Sequence, residues 1–236
     1  MNQMSECAEI LEKLLDDAEL YMEFIKPPRG EMKICVELAD TGETATLVLG
    51  NKPQVIEGCI EGSDGKVSMK KQVLKNVLEG KADAFALAAR ARMDEERPIE
   101  FEIYKKEHMK EIWEVGKALL TYFFAPGKIK IKRLKPELAG YAHGAHPIPL
   151  TYWDGLRSSW ILVKKGEVLN KQGEKDPWPQ LFIILEGKGK GIVGDKEFEV
   201  EPNMVVYIPK NVIHQITAEE DTKVIWLAWQ AWKNTR

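Results

Sequence analysis

Residues 174–187 read Glu174-Lys175-Asp176-Pro177-Trp178-Pro179-Gln180-Leu181-Phe182-Ile183-Ile184-Leu185-Glu186-Gly187, and residues 209–214 read Pro209-Lys210-Asn211-Val212-Ile213-His214. Side chains two apart on an extended segment point the same way. Glu174 and Asp176 are therefore expected to face one side together. Gln180 opens the next stretch after a bend made by Pro177 and Pro179, which lack backbone donors. His214 lies on a separate, later hairpin. Asn203 and Asn211 are of a type that tolerates left-handed backbone, so the chain can turn at them.

Working outward, short alternating segments recur with Gly or Pro between them. They are Trp160–Val163, Leu181–Leu185, Gly189–Val193, Phe198–Val200, Val205–Ile208, Gln215–Thr217 and Val224–Trp229. That rhythm predicts an antiparallel barrel or sandwich. Gly189-Lys190-Gly191-Ile192-Val193-Gly194 has the letters of a dinucleotide loop. Residues 195–200 alternate as a strand, whereas that loop requires a helix after it. The glycines are expected at hairpin turns and a bent barrel strand.

This half resembles the cupin family, whose two motifs are HxH(x)3–4E(x)6G and PxG(x)2H. The spacing fits at each ligand position. Glu174 and Asp176 replace the two histidines, Gln180 replaces the glutamate, and His214 matches. The resemblance implies a double-stranded β-helix barrel with Glu174, Asp176, Gln180 and His214 as its metal set. Two carboxylates, an amide and one imidazole are harder than the usual ligands and would favour Mn, Fe(II) or Mg. The competing reading keeps the site free of metal. The carboxylates are then exposed, protonated, or paired with a cation such as Lys171 or Lys175, and the cluster binds a polar ligand or lines the rim.

The first half has a different period. Residues 5–25 carry apolar side chains at helical steps after a capping Ser5, and Pro27-Pro28 stops them. Strands are expected at Met32–Leu38, Ala45–Leu49 and Val55–Ile60, with Asp/Gly turns between. Met69–Leu78 reads as a helix capped by Ser68 and closed by Gly80. Ala82–Met93 reads as a second helix, Pro98–Tyr104 as a strand and Glu107–Phe124 as a long helix, on whose apolar face His108 is expected to be hydrogen-bonded and buried.

Residues 31–104 resemble the sterol-carrier-protein type 2 domain. Hairpin strands, Lys66-Val67-Ser68-Met69, a helix ending Val77-Leu78-Glu79-Gly80-Lys81, another helix and a closing strand carry the likeness. Ala91-Arg92-Met93 departs from it where that family often has glycine. The resemblance implies a cavity for an apolar molecule, covered by the last helix.

Pro126-Gly127 marks the boundary, dividing the chain into a sterol-carrier-like α+β domain (1–125) and an all-β cupin barrel (126–236). Lys128, Lys130, Lys132, Arg133 and Lys135 alternate with Ile129 and Ile131, as on the wet face of an edge strand. His143-Gly144-Ala145-His146 places two imidazoles in the lead-in to the barrel, either supplying the site or solvated in a loop. Six of seven tryptophans lie in this half. Trp226 and Trp232 share a strand face opposite Trp229, in core or at an interface, and a homodimer is expected.

The chain has 236 residues, 44% hydrophobic and 30% charged, with a net charge of −3. That excludes a general attraction to nucleic acid or anionic membranes. No apolar run approaches a membrane span, and the polar start shows no signal peptide. Cys7, Cys35 and Cys59 have no CxxC spacing, which suits free thiols in a cytoplasmic protein. The leading expectation is a small-molecule binding protein, with an apolar ligand in the first domain and a polar ligand or metal in the second. The alternatives are a divalent-metal enzyme acting on an apolar substrate, and a structural dimerisation module with a decayed site.

Overall fold

The computed structural model describes residues 4–230 apart from 93, 154 and 172. Met93 and Trp232 therefore lie outside the described residues. The chain divides into two compact units, residues 1–88 with 96–132, and residues 89–95 with 133–236.

The first unit is built on a five-stranded sheet. Its strands are β1 (Met32–Leu38), β2 (Glu43–Leu49), β3 (Gln54–Glu57), β4 (Gly65–Met69) and β5 (Ile99–Ile103), in the order β3-β2-β1-β4-β5. β1 and β4 run parallel and the other pairs antiparallel. The helices are α1 (Glu6–Asp17), α2 (Met22–Ile25), α3 (Lys71–Leu78), α4 (Ala84–Ala88) and α5 (Met109–Ala118), the last continuing as a π-helical turn over Leu119–Phe123. Ser5 caps α1, its hydroxyl accepting from the Ala8 N–H at 3.3 Å. Cys7, Ala8, Leu11 and Leu14 form the buried stripe of α1.

Several expectations for this unit are corrected. Residues 5–25 break into α1, a 3-10 turn at Glu19–Tyr21 and α2. Ser68 does not cap α3. It sits in β4, opposite Glu37 and Glu100, because Gly65, Val67 and Met69 alternate inward and satisfy the strand period first. The long alanine-rich helix shrinks to α4. His108 is half-buried rather than buried, its Nε2 lying 3.1 Å from a guanidinium nitrogen of Arg29.

The basic run is not a strand, and its pattern is inverted. Lys130 reaches the Ala125 carbonyl at 2.7 Å, and Lys132 pairs with Asp83 at 2.6 Å. Ile129 and Ile131 are exposed, at 67% and 71%, as are Lys128, Arg133 and Lys135, whereas Lys130 and Lys132 are half-buried. Fixed acceptors on one side outweigh the apolar preference of two isoleucines there.

Cys35 and Cys59 are joined in a disulfide, and Cys7 is free and buried. This corrects the reading of three free thiols. The Thr46 hydroxyl on β2 donates to the Gly58 carbonyl at 2.7 Å and accepts from the Ile60 N–H at 3.1 Å. That folds the segment after β3 back, with 5.2 Å between the two cysteine Cα atoms, inside the range a disulfide spans.

The second unit packs two antiparallel sheets face to face. One has β11 (Lys196–Val200), β10 (Gly189–Val193), β13 (His214–Ala218) and β8 (Val168–Leu169), in that order. The other has β12 (Val205–Ile208), β9 (Gln180–Glu186), β14 (Thr222–Trp229), β7 (Leu156–Val163) and β6 (His146–Trp153). Val163, Phe182, Ile184 and Val224 from the larger sheet meet Val200, Ile216, Ala218 and Leu169 from the smaller. β6 has no counterpart among the expected strands, because Pro147 and Pro149 argue against one. It is an edge strand, where missing donors are tolerated, and it carries a bulge near Leu150.

Glycines and asparagines in this unit have specific work. A Cβ on Gly191 would lie 2.1 Å from the Phe198 ring across the β10–β11 pair. Gly187 has φ +87°, and a Cβ there would meet the Asp221 carbonyl at 2.4 Å. Asn203 and Asn211 hold φ of +67° and +61°, as expected of asparagine at those turns.

Candidate functional site

Alternation along β9 puts Gln180, Phe182 and Ile184 on its buried face. Alternation along β13 does the same for His214, Ile216 and Ala218. Because the buried faces of both sheets form one core, Gln180 and His214 belong to the same interior, one from each sheet.

Glu174 and Asp176 do not share a strand. Residues 174–179 are irregular. The Asp176 carboxylate accepts from the Trp178 N–H at 2.8 Å, and the Asp176 carbonyl accepts from the Asn211 N–H at 2.7 Å. The aspartate thus makes its own turn across Pro177, which cannot join a ladder. That carboxylate also lies 3.7 Å from the Arg157 guanidinium, which stacks 4.1 Å over the Trp178 ring. Glu174 pairs with His143. The partners are therefore Arg157 and His143, not Lys171 or Lys175. His143 holds a left-handed backbone, φ +57°. His146 lies elsewhere in the lead-in, its Nε2 2.9 Å from Glu167 and its ring edge-on to Tyr141.

Gln180 is 2% exposed. Its Oε1 accepts from the Trp226 indole N–H at 2.5 Å, and its Nε2 has no hydrogen-bond partner among the described residues. Trp226 in turn faces the Tyr152 ring at 6.2 Å, and the Tyr152 hydroxyl lies 3.4 Å from that of Ser159. Burial raises the Tyr152 phenol above its ordinary value, so it keeps its proton at neutral pH.

His214 is 4% exposed, with its ring 5.8 Å from that of Phe182. Its Nδ1 lies 3.1 Å from the Val212 carbonyl. A carbonyl accepts only, so Nδ1 carries the hydrogen and Nε2 is the free acceptor nitrogen. Burial lowers the His214 pKa, against the raising pull of that carbonyl and of Asp176 and Glu174. The imidazole is therefore neutral at pH 7.

As folded, these residues do not fit a divalent ion. The amide oxygen of Gln180 is taken by an indole, Asp176 by a backbone N–H and a guanidinium, and Glu174 by an imidazole. Among the described residues, no three His, Cys, Asp or Glu are grouped to hold a metal. What the arrangement offers is a donor at Gln180, an acceptor at His214, and aromatic walls.

Residues 159–230 match the family described as Cupin domain. The second unit thus contains a cupin-type all-β region, and the match covers the whole of β9–β14. Solved structures similar to the chain include a Cupin 2 conserved barrel domain protein from Salinispora arenicola, at 18% identity and TM-score 0.39, covering 44% of this chain and 90% of that one. A cupin superfamily protein from Desulfitobacterium hafniense is 19% identical at TM-score 0.35, covering 43% and 94%. An RmlC-like cupin from Shewanella frigidimarina is 17% identical at TM-score 0.34, covering 40% and 83%. A search of curated proteins finds no match.

Sequence reasoning alone misses Arg157, Tyr152, Ser159 and Trp178. Arg157 and Ser159 have the parity of Ile161 on β7, which is a usable signal. Tyr152 has none, since its strand carries two prolines and a bulge. No described helix is long and apolar enough to cross a membrane.

Proposed function

We propose that this chain binds small molecules, with a polar ligand held in the cupin barrel by hydrogen bonds from its own side chains. The observation that carries this reading is the Gln180 Nε2, a buried amide donor without a partner among the described residues. Buried donors are nearly always paired, and an unpaired one costs about 1–3 kcal/mol. A bound ligand that supplies an acceptor removes that cost. His214 Nε2 provides a complementary acceptor, and Tyr152, Phe182 and Trp226 provide the apolar surface on which such pockets rely.

The proposal extends to the first unit as the holder of an apolar molecule. Its support is the order of elements: hairpin strands, then α3, α4, β5 and α5. Pairing of two copies is part of the same reading. Val205, Tyr207 and Trp229 are exposed apolar residues of the larger barrel sheet, on β12 and β14.

Native mass spectra of the full chain as purified, beside Gln180→Met and His214→Ala, test these points together. The expected result is a small-molecule adduct lost in Gln180→Met, with no stoichiometric metal. An adduct retained in both variants assigns the ligand to the first unit. A stoichiometric metal lost in His214→Ala overturns the hydrogen-bonding reading in favour of a metal-dependent enzyme. The same spectra read out the dimer.

A further inference from the structure

From the same side chains, and resting on the barrel reading above, we infer that the barrel takes an uncharged, planar carbonyl compound of the aromatic amide class rather than a carboxylate. Three observations converge on it.

The first is the orientation of Gln180. An indole N–H can only donate. The Trp226 contact at 2.5 Å therefore fixes the amide oxygen toward the indole and leaves Nε2 as a buried donor that cannot turn over. Two N–H groups with no partner among the described residues call for an acceptor atom from the ligand.

The second is charge. Two carboxylates, Glu174 and Asp176, are paired with one guanidinium, Arg157, and one imidazole, His143. Whatever state His143 takes, these four are at most neutral together. A carboxylate ligand would lose its hydration in a buried site without surplus positive charge, and such burial is heavily penalised. A neutral carbonyl oxygen satisfies the same donor at far lower desolvation cost.

The third is shape. Tyr152 and Trp226 lie 6.2 Å apart and Phe182 lies beside His214. Aromatic side chains of this kind accommodate a flat body by stacked or edge-to-face contact. An amide also brings its own N–H, for which the His214 Nε2 is an available acceptor.

Benzamide and benzoate are matched in shape and differ in charge, which makes them the test pair. Each is titrated calorimetrically into the folded full chain, into Gln180→Met and into Trp226→Phe, with circular dichroism confirming that each variant is folded. Benzamide is expected to bind at least about tenfold more tightly than benzoate to the unmodified chain. Gln180→Met should erase that preference. Trp226→Phe frees the amide to turn over and should also reduce it, independently of Gln180→Met. Benzoate binding as tightly as benzamide overturns the ligand class and leaves the barrel reading intact. A benzamide preference unchanged in both variants overturns the role of Gln180. Binding of neither probe overturns the inference, and the barrel reading then stands or falls on the adduct in native spectra.

Discussion

The interior of the barrel has two kinds of lining, and their hydrogen bonding separates them. Around Val163, Ile184, Val224 and Ile216 the two sheets meet through apolar side chains that need no partner. Around Gln180, Tyr152, Ser159 and His214 the same inner faces carry polar groups, and there the Gln180 Nε2 has no hydrogen-bond partner among the described residues. Strands that only had to hold the barrel together could have kept the first lining throughout. An unsatisfied amide beside an indole lowers stability, so its presence points to binding rather than to support.

Truncation should expose this difference most strongly. Ile184→Ala, in the apolar lining, is expected to cost about 2–5 kcal/mol, read as a fall in the urea midpoint of the barrel followed by tryptophan fluorescence. Gln180→Met, four residues away on the same strand face, should change stability by no more than about 1 kcal/mol. Losing the orphan N–H offsets losing the indole bond. Equal losses at the two positions would show that Gln180 is an ordinary core residue and would dissolve the contrast.

A smaller effect should appear with pH. Burial holds the folded His214 pKa below the ordinary 6.5. As pH falls through about 6.5 the unfolded chain binds the proton first, so stability is complete above that pH and declines below it. The urea midpoint from about pH 8 to about pH 5 should therefore drop more in the unmodified chain than in His214→Gln. Identical profiles would place His214 in solvent contact, outside the buried lining.

Much of the barrel is legible in the sequence. The strands around Gly189–Val193, Val205–Ile208 and Val224–Trp229 announce themselves through alternation and turn residues, and Met32–Leu38 does the same in the first unit. The opposite faces of Trp226 and Trp229 follow from parity, since Trp226 packs on the core and Trp229 is partly exposed. Local signals fail where they are ambiguous. Met69 satisfies both a strand and a helix period, and β4 claims it. The lysines after Gly127 alternate like an edge strand, yet distant acceptors such as Asp83 hold them.

For the site, alternation in the sequence determined that Gln180 shares a strand face with Phe182 and Ile184, and His214 with Ile216 and Ala218, because strand parity is a property of consecutive residues. It also determined that Asn203 and Asn211 could turn the chain. Only the tertiary structure decided what those side chains meet. Arg157 and His143, 19 and 31 residues before their partners Asp176 and Glu174, pair with the carboxylates that the motif spacing offered as ligands. Trp226, 46 residues beyond Gln180, fixes which end of the amide is free. Cys59 meets Cys35 across 24 residues for the same kind of reason. Spacing encodes direction along one strand, whereas pairing between strands is set by register and by which side chains the fold brings against each polar atom.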